Sequence, residues 1–194
     1  DCAIYLGGHR DEAAHAVDDA LARARVRGGF VWIGLHEPTE SEFADVTRAF
    51  DLHPLAVEDA IHAHQRPKLE RYGDSLFMVL KPARYVDARE VVEIDQIMVF
   101  AGADFVVTVR HGKSGALSEV RRALEADPDR MGWGPASVLH AIADKVVDDY
   151  AVVMRGLDTD VEQIEHEVFA GPSAAHAERI FKLKREVLDF RTAV

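Results

Sequence analysis

Apolar and polar positions change their spacing several times along this chain, and each change marks a new element. Residues 2–6 read as a short strand. Residues 11–27 carry Ala14, Val17, Ala20, Leu21 and Ala24 at helical spacing, and Gly28-Gly29 stops the helix. Residues 30–35 read as a second strand. Pro38-Thr39-Glu40-Ser41-Glu42 opens the next helix: Thr39 can cap it, and Glu42, three residues on, can reach back to complete a capping box. That helix runs through residues 43–52. His53-Pro54 then starts a shorter one, with Pro54 suited to the first turn. Beyond Arg66-Pro67 the period shortens. Residues 69–72 and 75–86 are strand-like around a Gly73-Asp74 turn, and residues 91–101 and 104–110 form two further strands around Gly102-Ala103. Residues 114–127 return to helical spacing, with Ser114 as the cap. Strands interleaved with helices, then a hairpin meander, predict an α/β domain with a mixed sheet over residues 1–134.

From Pro135 onward the pattern is helical throughout. Leu139, Ile142, Val146, Tyr150, Val153, Leu157, Val161, Ile164 and Val168 follow one another at steps of three or four, an eleven-residue repeat close to the undistorted α-helical period. A helix over residues 136–169 is roughly 50 Å long at 1.5 Å per residue, longer than a small domain is wide, so it is expected to protrude or act as a strut. Gly171-Pro172 ends it. Ser173 starts another helix, with Ile180, Leu183, Val187 and Phe190 on one stripe and no stop signal before Val194. Residues 135–194 are thus expected to form a second, purely helical part, cut in mid-helix.

Charge narrows the partners. The 194 residues include 34 acidic against 23 basic side chains, a net charge of −11, which disfavours phosphate backbones and anionic lipid and favours cations. Cys2 is the single cysteine, which leaves neither an intrachain disulfide nor a thiolate zinc cluster. The apolar runs fall far short of the ~20 residues that span a bilayer, so the chain as it stands reads as soluble.

The densest chemistry lies between His53 and Glu70, where adjacent Glu58 and Asp59 precede His62 and His64. On a helix Glu58 and Asp59 diverge by ~100°, so they offer two oxygen sites along one edge and no tight chelate. They read either as a solvated face or as ligands for a hard cation, for which carboxylate oxygens are suited. Asp59, His62 and His64 raise a second possibility, a metal-dependent hydrolase, but a catalytic zinc needs three convergent ligands, and histidines two apart diverge on a helix. One histidine is expected to cap the helix end and the other to be solvated. Arg66 and Lys68 are expected to pair with nearby acids such as Glu70. The long helix adds eight acidic side chains against Lys145 and Arg155, with Asp148-Asp149 a dense negative patch. No Gly-rich phosphate loop, nucleophile elbow or His-Glu-x-x-His run is present. A soluble adaptor with no ion role is the third reading.

Several of these stretches together resemble the CorA-type magnesium/cobalt transporter family. They are Trp32-Ile33-Gly34-Leu35 before Pro38, His53-Pro54-Leu55 with Glu58-Asp59, the run from Gln65 to Glu70, Leu76-Phe77-Met78-Val79-Leu80, Val146-Val147-Asp148-Asp149-Tyr150 and Leu183-Lys184-Arg185, all in order. The zinc-transporting ZntB proteins share that architecture. The resemblance implies an α/β/α sandwich with a mixed sheet followed by long antiparallel stalk helices. It also implies a homopentameric funnel on the cytoplasmic face of the membrane, reached only through two membrane helices and a Gly-Met-Asn pore motif beyond Val194. As a fragment without them the chain is expected to be a monomer or weak oligomer. By the same resemblance Asp59 matches a regulatory Mg²⁺ ligand between protomers, and Glu58 with Asp144 matches an adjacent site, with Co²⁺ or Zn²⁺ as other ions. The usual partner aspartate lies further along the stalk, beyond Val194.

Overall fold

The computed structural model describes residues 1–11, 16–113, 115–171 and 174–194. At its centre is a seven-stranded mixed sheet in the order β2-β1-β3-β9-β8-β5-β4. The strands are β1 (Cys2–Leu6), β2 (His9–Arg10), β3 (Phe30–His36), β4 (Lys68–Tyr72), β5 (Ser75–Leu80), β8 (Gln96–Ala101) and β9 (Phe105–His111). Among the described residues β3 and β9 form the one parallel pair, with Val31 opposite Phe105 and Leu35 opposite Val109. The other neighbours are antiparallel.

Alternation along these strands divides the core in two. Val31, Ile33, Val107, Val109, Met98, Phe100, Phe77 and Val79 point to one face, beneath α1 (Val17–Arg27), α2 (Glu40–Phe50) and α3 (Pro54–His62). Phe30, Trp32, Val106, Ile97, Val99 and Met78 point to the other, beneath α4 (Ala116–Glu125), α5 (Pro128–Met131) and the first turns of α6 (Pro135–Ala170). The fold is therefore the expected α/β/α sandwich with a mixed sheet.

Local signals account for several boundaries. Gly28 takes a left-handed conformation (φ 67°) and closes α1. Thr39 and Glu42 make both bonds of the capping box that opens α2. The expected start of the first helix at residue 11 falls partly on residues 12–15, and the expected Ser114 and Ser173 starts also lie outside the described residues. The two long strands expected at 75–86 and 91–101 are each broken. Pro82 separates β5 from β6 (Ala83–Val86), and Asp95 separates β7 (Val91–Ile94) from β8. The breaks face each other, the Asp95 amide donating to the Pro82 carbonyl at 3.0 Å. The hairpin thus bends out of the main sheet, and β6 and β7 pair as a separate two-stranded ribbon.

That ribbon carries the second half of α6. Ala83, Val153, Leu157 and Phe190 form a small core there, with α7 (Ala174–Arg191) closing it. The expected stripe holds from Ile142 to Leu157 and at Ile164, whereas Val161 and Val168 lie on open surface. The last helix stops at Arg191, short of Val194, where the Thr192 hydroxyl donates to the Asp189 carbonyl. Asp160, expected on the polar face, is 6% exposed and accepts a hydrogen bond from the Tyr85 hydroxyl. It falls three residues after Leu157 and four before Ile164, on the inward side of the helix.

Gly156 sits one turn before Asp160, directly under the Tyr85 ring. A Cβ there would lie 2.4 Å from Tyr85 Cδ1. In an open helix Gly→Ala gains about 1 kcal/mol. Here the ring is tethered through its hydroxyl to Asp160, and overpacking of this kind costs about 1–3 kcal/mol. Gly156→Ala should therefore lower stability in urea unfolding, and restoring space with Tyr85→Ala in the same chain should remove the penalty of the added methyl.

Candidate functional site

α3 owes its position to both of its ends. His53 is the N-cap, its Nδ1 accepting from the Leu55 amide at 3.3 Å while its ring stacks on Tyr72 with centroids 4.2 Å apart. Pro54 fills the first turn as expected. At the other end the carbonyl of Ala60 accepts from Nε2 of His111 on β9 at 2.8 Å. Ala56 and Ala60 are fully buried against the sheet, so the helix lies close to it and turns its acidic edge outward.

The two carboxylates on that edge differ. Glu58 is exposed, and only its backbone carbonyl is engaged, by His62 Nδ1 at 2.9 Å. Asp59 is half-buried and accepts from Lys68 Nζ at 2.7 Å. Lys68 also lies 2.8 Å from Glu70, which in turn accepts from the Tyr72 hydroxyl at 3.0 Å. Lys68, Glu70 and Tyr72 alternate along β4 and so share one side of it. Burial disfavours the Lys68 ammonium, but its hydrogen bonds to Asp59 and Glu70 outweigh that and hold its pKa above the ordinary lysine value. The hydrogen bond from Lys68 holds the Glu70 carboxyl below the usual carboxylate range, partly opposed by burial and helped by Tyr72.

Asp144 is on α6, exposed, with Arg130 4.0 Å away. This stretch of α6 packs on the opposite face of the sheet from α3. The structure therefore keeps Glu58 and Asp59 together and Asp144 apart from them. His62 and His64 are both exposed, and His64 follows Ala63 in a second positive-φ conformation (62° and 52°). His62 bonds within its own helix. Among the described residues no three His, Cys, Asp or Glu side chains gather as a metal centre, so Asp59, His62 and His64 do not form the convergent set a hydrolase needs. The Asp148-Asp149 patch is partly neutralised: Asp149 accepts from Lys145 at 2.6 Å, and Lys145 also faces Glu119 at 3.5 Å.

Sequence reasoning anticipated the Lys68–Glu70 pair but missed Asp59–Lys68, His53 as a cap, Tyr72 and His111. For Tyr72 and Lys68 a signal existed, the period-two polar alternation of Lys68, Glu70 and Tyr72. His111 acts across 51 positions, and nothing local announces it. Chemically, the edge offers hard oxygen donors in water beside a lysine that already competes for one of them. Such a set suits a weakly held Mg²⁺ that keeps most of its waters and takes one or two carboxylates.

Comparison with known proteins adds the relationship. The family described as "CorA-like Mg2+ transporter protein" matches residues 27–194. The putative metal ion transporter YfjQ of Bacillus subtilis is 28% identical over 163 residues, 84% of this chain and 50% of that protein. The cobalt/magnesium transport protein CorA of Thermotoga maritima is 27% identical over 146 residues, 75% of this chain and 42% of that one. The chain thus spans about half the length of these curated relatives. Among solved structures, the soluble domain of CorA from Methanocaldococcus jannaschii superposes with a TM-score of 0.73 at 14% identity, covering 100% of this chain and 74% of that one. Among the described residues no helix is long and apolar enough to cross a membrane.

The Lys68 bridge gives a pH signature. A carboxyl held below its unfolded value stabilises the fold above that unfolded value, and the contribution is lost as pH falls through the lowered one. Urea unfolding of the wild-type chain between about pH 5 and pH 3 should therefore show a decline that includes Glu70, whose unfolded pKa is near 4.3. In Lys68→Met that part of the decline should be missing, leaving a shallower acid limb; an unchanged limb would show that the bridge contributes nothing.

Proposed function

Because the chain belongs to the CorA-like Mg²⁺ transporter family, we propose that it is the ion-sensing, cytosolic part of a divalent-cation channel and that α3 carries half of a regulatory Mg²⁺ site shared between neighbouring copies. The family description and the relatives' names speak of magnesium and cobalt, so Mg²⁺ or Co²⁺ is the proposed cargo, ahead of Zn²⁺. Residues 1–134 are read as the sensing domain and residues 135–194 as the helical link toward the membrane. The protein is not read as an enzyme.

The observation that carries this reading is the separation of the acids. Glu58 and Asp59 lie on one face of the sheet and Asp144 on the other, so an ion held by both sets must join two chains. In a ring such as the homopentamer proposed here, each chain then offers Glu58 and Asp59 to one neighbour and Asp144 to the next. The open apolar flank of α6 and α7, with Val161, Val168, Ile180 and Val187 exposed, supports assembly as well.

In this mechanism plentiful Mg²⁺ bridges opposed carboxylates and holds the closed state. When Mg²⁺ falls, the acids repel, the contacts loosen and the gate opens. A ligand shifts an equilibrium only by its differential affinity for the two states, and a ring of weak bridges adds up to a decisive shift. Lys68 tunes the response. Its ammonium neutralises Asp59 when no ion is present, so Mg²⁺ binds only by displacing it, which keeps the affinity low.

Transport assays on the full-length channel provide the test. Glu58→Ala with Asp59→Ala should weaken inhibition by internal Mg²⁺. Lys68→Met should strengthen it by removing the competitor. Inhibition unchanged in both proteins would sink the proposal.

A further inference from the structure

A different part of the molecule has the form of a ligand site. β3 and β9 are parallel neighbours, yet their chains leave in opposite directions: β3 leads to α2 on one face of the sheet and β9 to α4 on the other. Parallel strands whose connections diverge in this way leave a crevice beyond their carboxyl ends, the place where open α/β sheets bind ligands. A cleft of about 270 Å³ opens there, lined by Trp32, Gly34, Thr108, Arg110, Arg121 and Asp1 among others.

Its most deeply buried charge is cationic, in a chain of net charge −11. The side chain of Arg121 is only 13% exposed, and its guanidinium lies 4.2 Å from the centroid of the Trp32 ring, which it covers. Trp32 is itself fixed by donating from Nε1 to the Thr108 hydroxyl at 3.3 Å, which donates on to the Ile33 carbonyl at 3.0 Å. Gly34 leaves the floor open, since a Cβ there would meet Thr108 Oγ1 at 3.7 Å and Arg121 Nη2 at 3.8 Å without clash. The anion now facing Arg121 is the Asp1 carboxylate, whose side chain is 53% exposed and whose other oxygen accepts from Arg10 at 3.3 Å. A rigid, buried guanidinium paired with a half-exposed carboxylate is the arrangement in which a ligand's oxyanion can take the carboxylate's place.

We propose that this cleft binds a small oxyanion, a carboxylate or phosphoryl group held by Arg121, and that Asp1 is its intramolecular competitor. The site is independent of the α3 acids and of the divalent-cation reading. Bidentate guanidinium pairing suits both kinds of oxyanion.

The cleft also contains its own reporter. The chain has two tryptophans, and Trp133 is 76% exposed, so Trp133→Phe leaves Trp32 as the sole tryptophan fluorophore. In that background, inorganic phosphate and succinate are titrated separately at constant ionic strength, with chloride as the control. At least one of the two oxyanions should change Trp32 emission saturably, and chloride should not; which one acts tells the phosphoryl from the carboxylate ligand. Asp1→Asn should tighten binding severalfold by removing the competitor. Arg121→Gln should weaken it about tenfold or more, the loss of a charge-assisted bidentate pair. Gly34→Val, which keeps every charge and fills the floor, should weaken it similarly, and it covers the case in which Arg121→Gln does not fold. A response absent from both the parent and Asp1→Asn, or equal in the parent and Gly34→Val, overturns the proposal.

Discussion

The parallel pairing of β3 with β9 is the constraint on which the rest of the molecule depends. Two parallel neighbours cannot be joined by a tight turn, so a long crossover must separate them in sequence. Here that crossover holds α2, α3, β4 and the whole bent hairpin from β5 to β8. Val31, Trp32, Ile33, Val106 and Val107 are buried on their respective faces, so helices must cover both sides of the pair. The acidic edge of α3 and Asp144 on α6 lie on opposite sides because the strands between them are buried on both.

Local rules made much of this legible. A capping box, a first-turn proline and a glycine stop are chemistry within a few residues, and each fell where its pattern pointed. The bend of the β5–β8 hairpin was not legible from period alone. Apolar positions continue through Pro82 and Asp95 because both sheets bury side chains, and a period-two pattern carries no mark of a change of sheet. Pro82 was the available clue, since it cannot donate to a ladder. Asp160 was misjudged for a related reason: its charge suggested solvent, whereas its position in the eleven-residue stripe placed it inward, where Tyr85 waits for it. The candidate site was half legible. Glu58 and Asp59 stand out in the sequence, but the lysine that neutralises Asp59 becomes its neighbour only through the pairing of β4 with the sheet edge.

That lysine changes what the acids can do. Asp59 is no open carboxylate awaiting a cation; it already has a monovalent one. A divalent ion gains from replacing it only if further oxygens contribute, and within one chain the neighbouring Glu58 is all that α3 supplies. The second chain is therefore an energetic requirement of the proposed site, and the competition makes a bridging ion sensitive to how closely the chains approach.

How such an approach reaches the rest of the molecule follows from α6. Its first turns, at Val138, Ala141 and Ile142, are part of the sandwich core. Farther along, the Tyr150 hydroxyl lies 2.9 Å from the Lys81 carbonyl at the hairpin bend and 2.8 Å from the Ala193 carbonyl after α7. Then Gly156 and Asp160 receive the ring and hydroxyl of Tyr85 from the ribbon. The ribbon is tied in turn to α7, Glu186 accepting from the Val92 amide at 2.8 Å and Arg179 reaching Glu90 at the same distance. A close-packed helix held at three places along 36 residues cannot bend independently of what it touches. In the proposed assembly, a shift of the sandwich against a neighbour would therefore be passed on by α6 to the ribbon and α7. Past Ile164 only α7 still accompanies the helix, Arg179 reaching Glu167 at 2.6 Å while Val168 and Phe169 stand exposed, so in the proposed channel the two helices would carry such a displacement to the tip together.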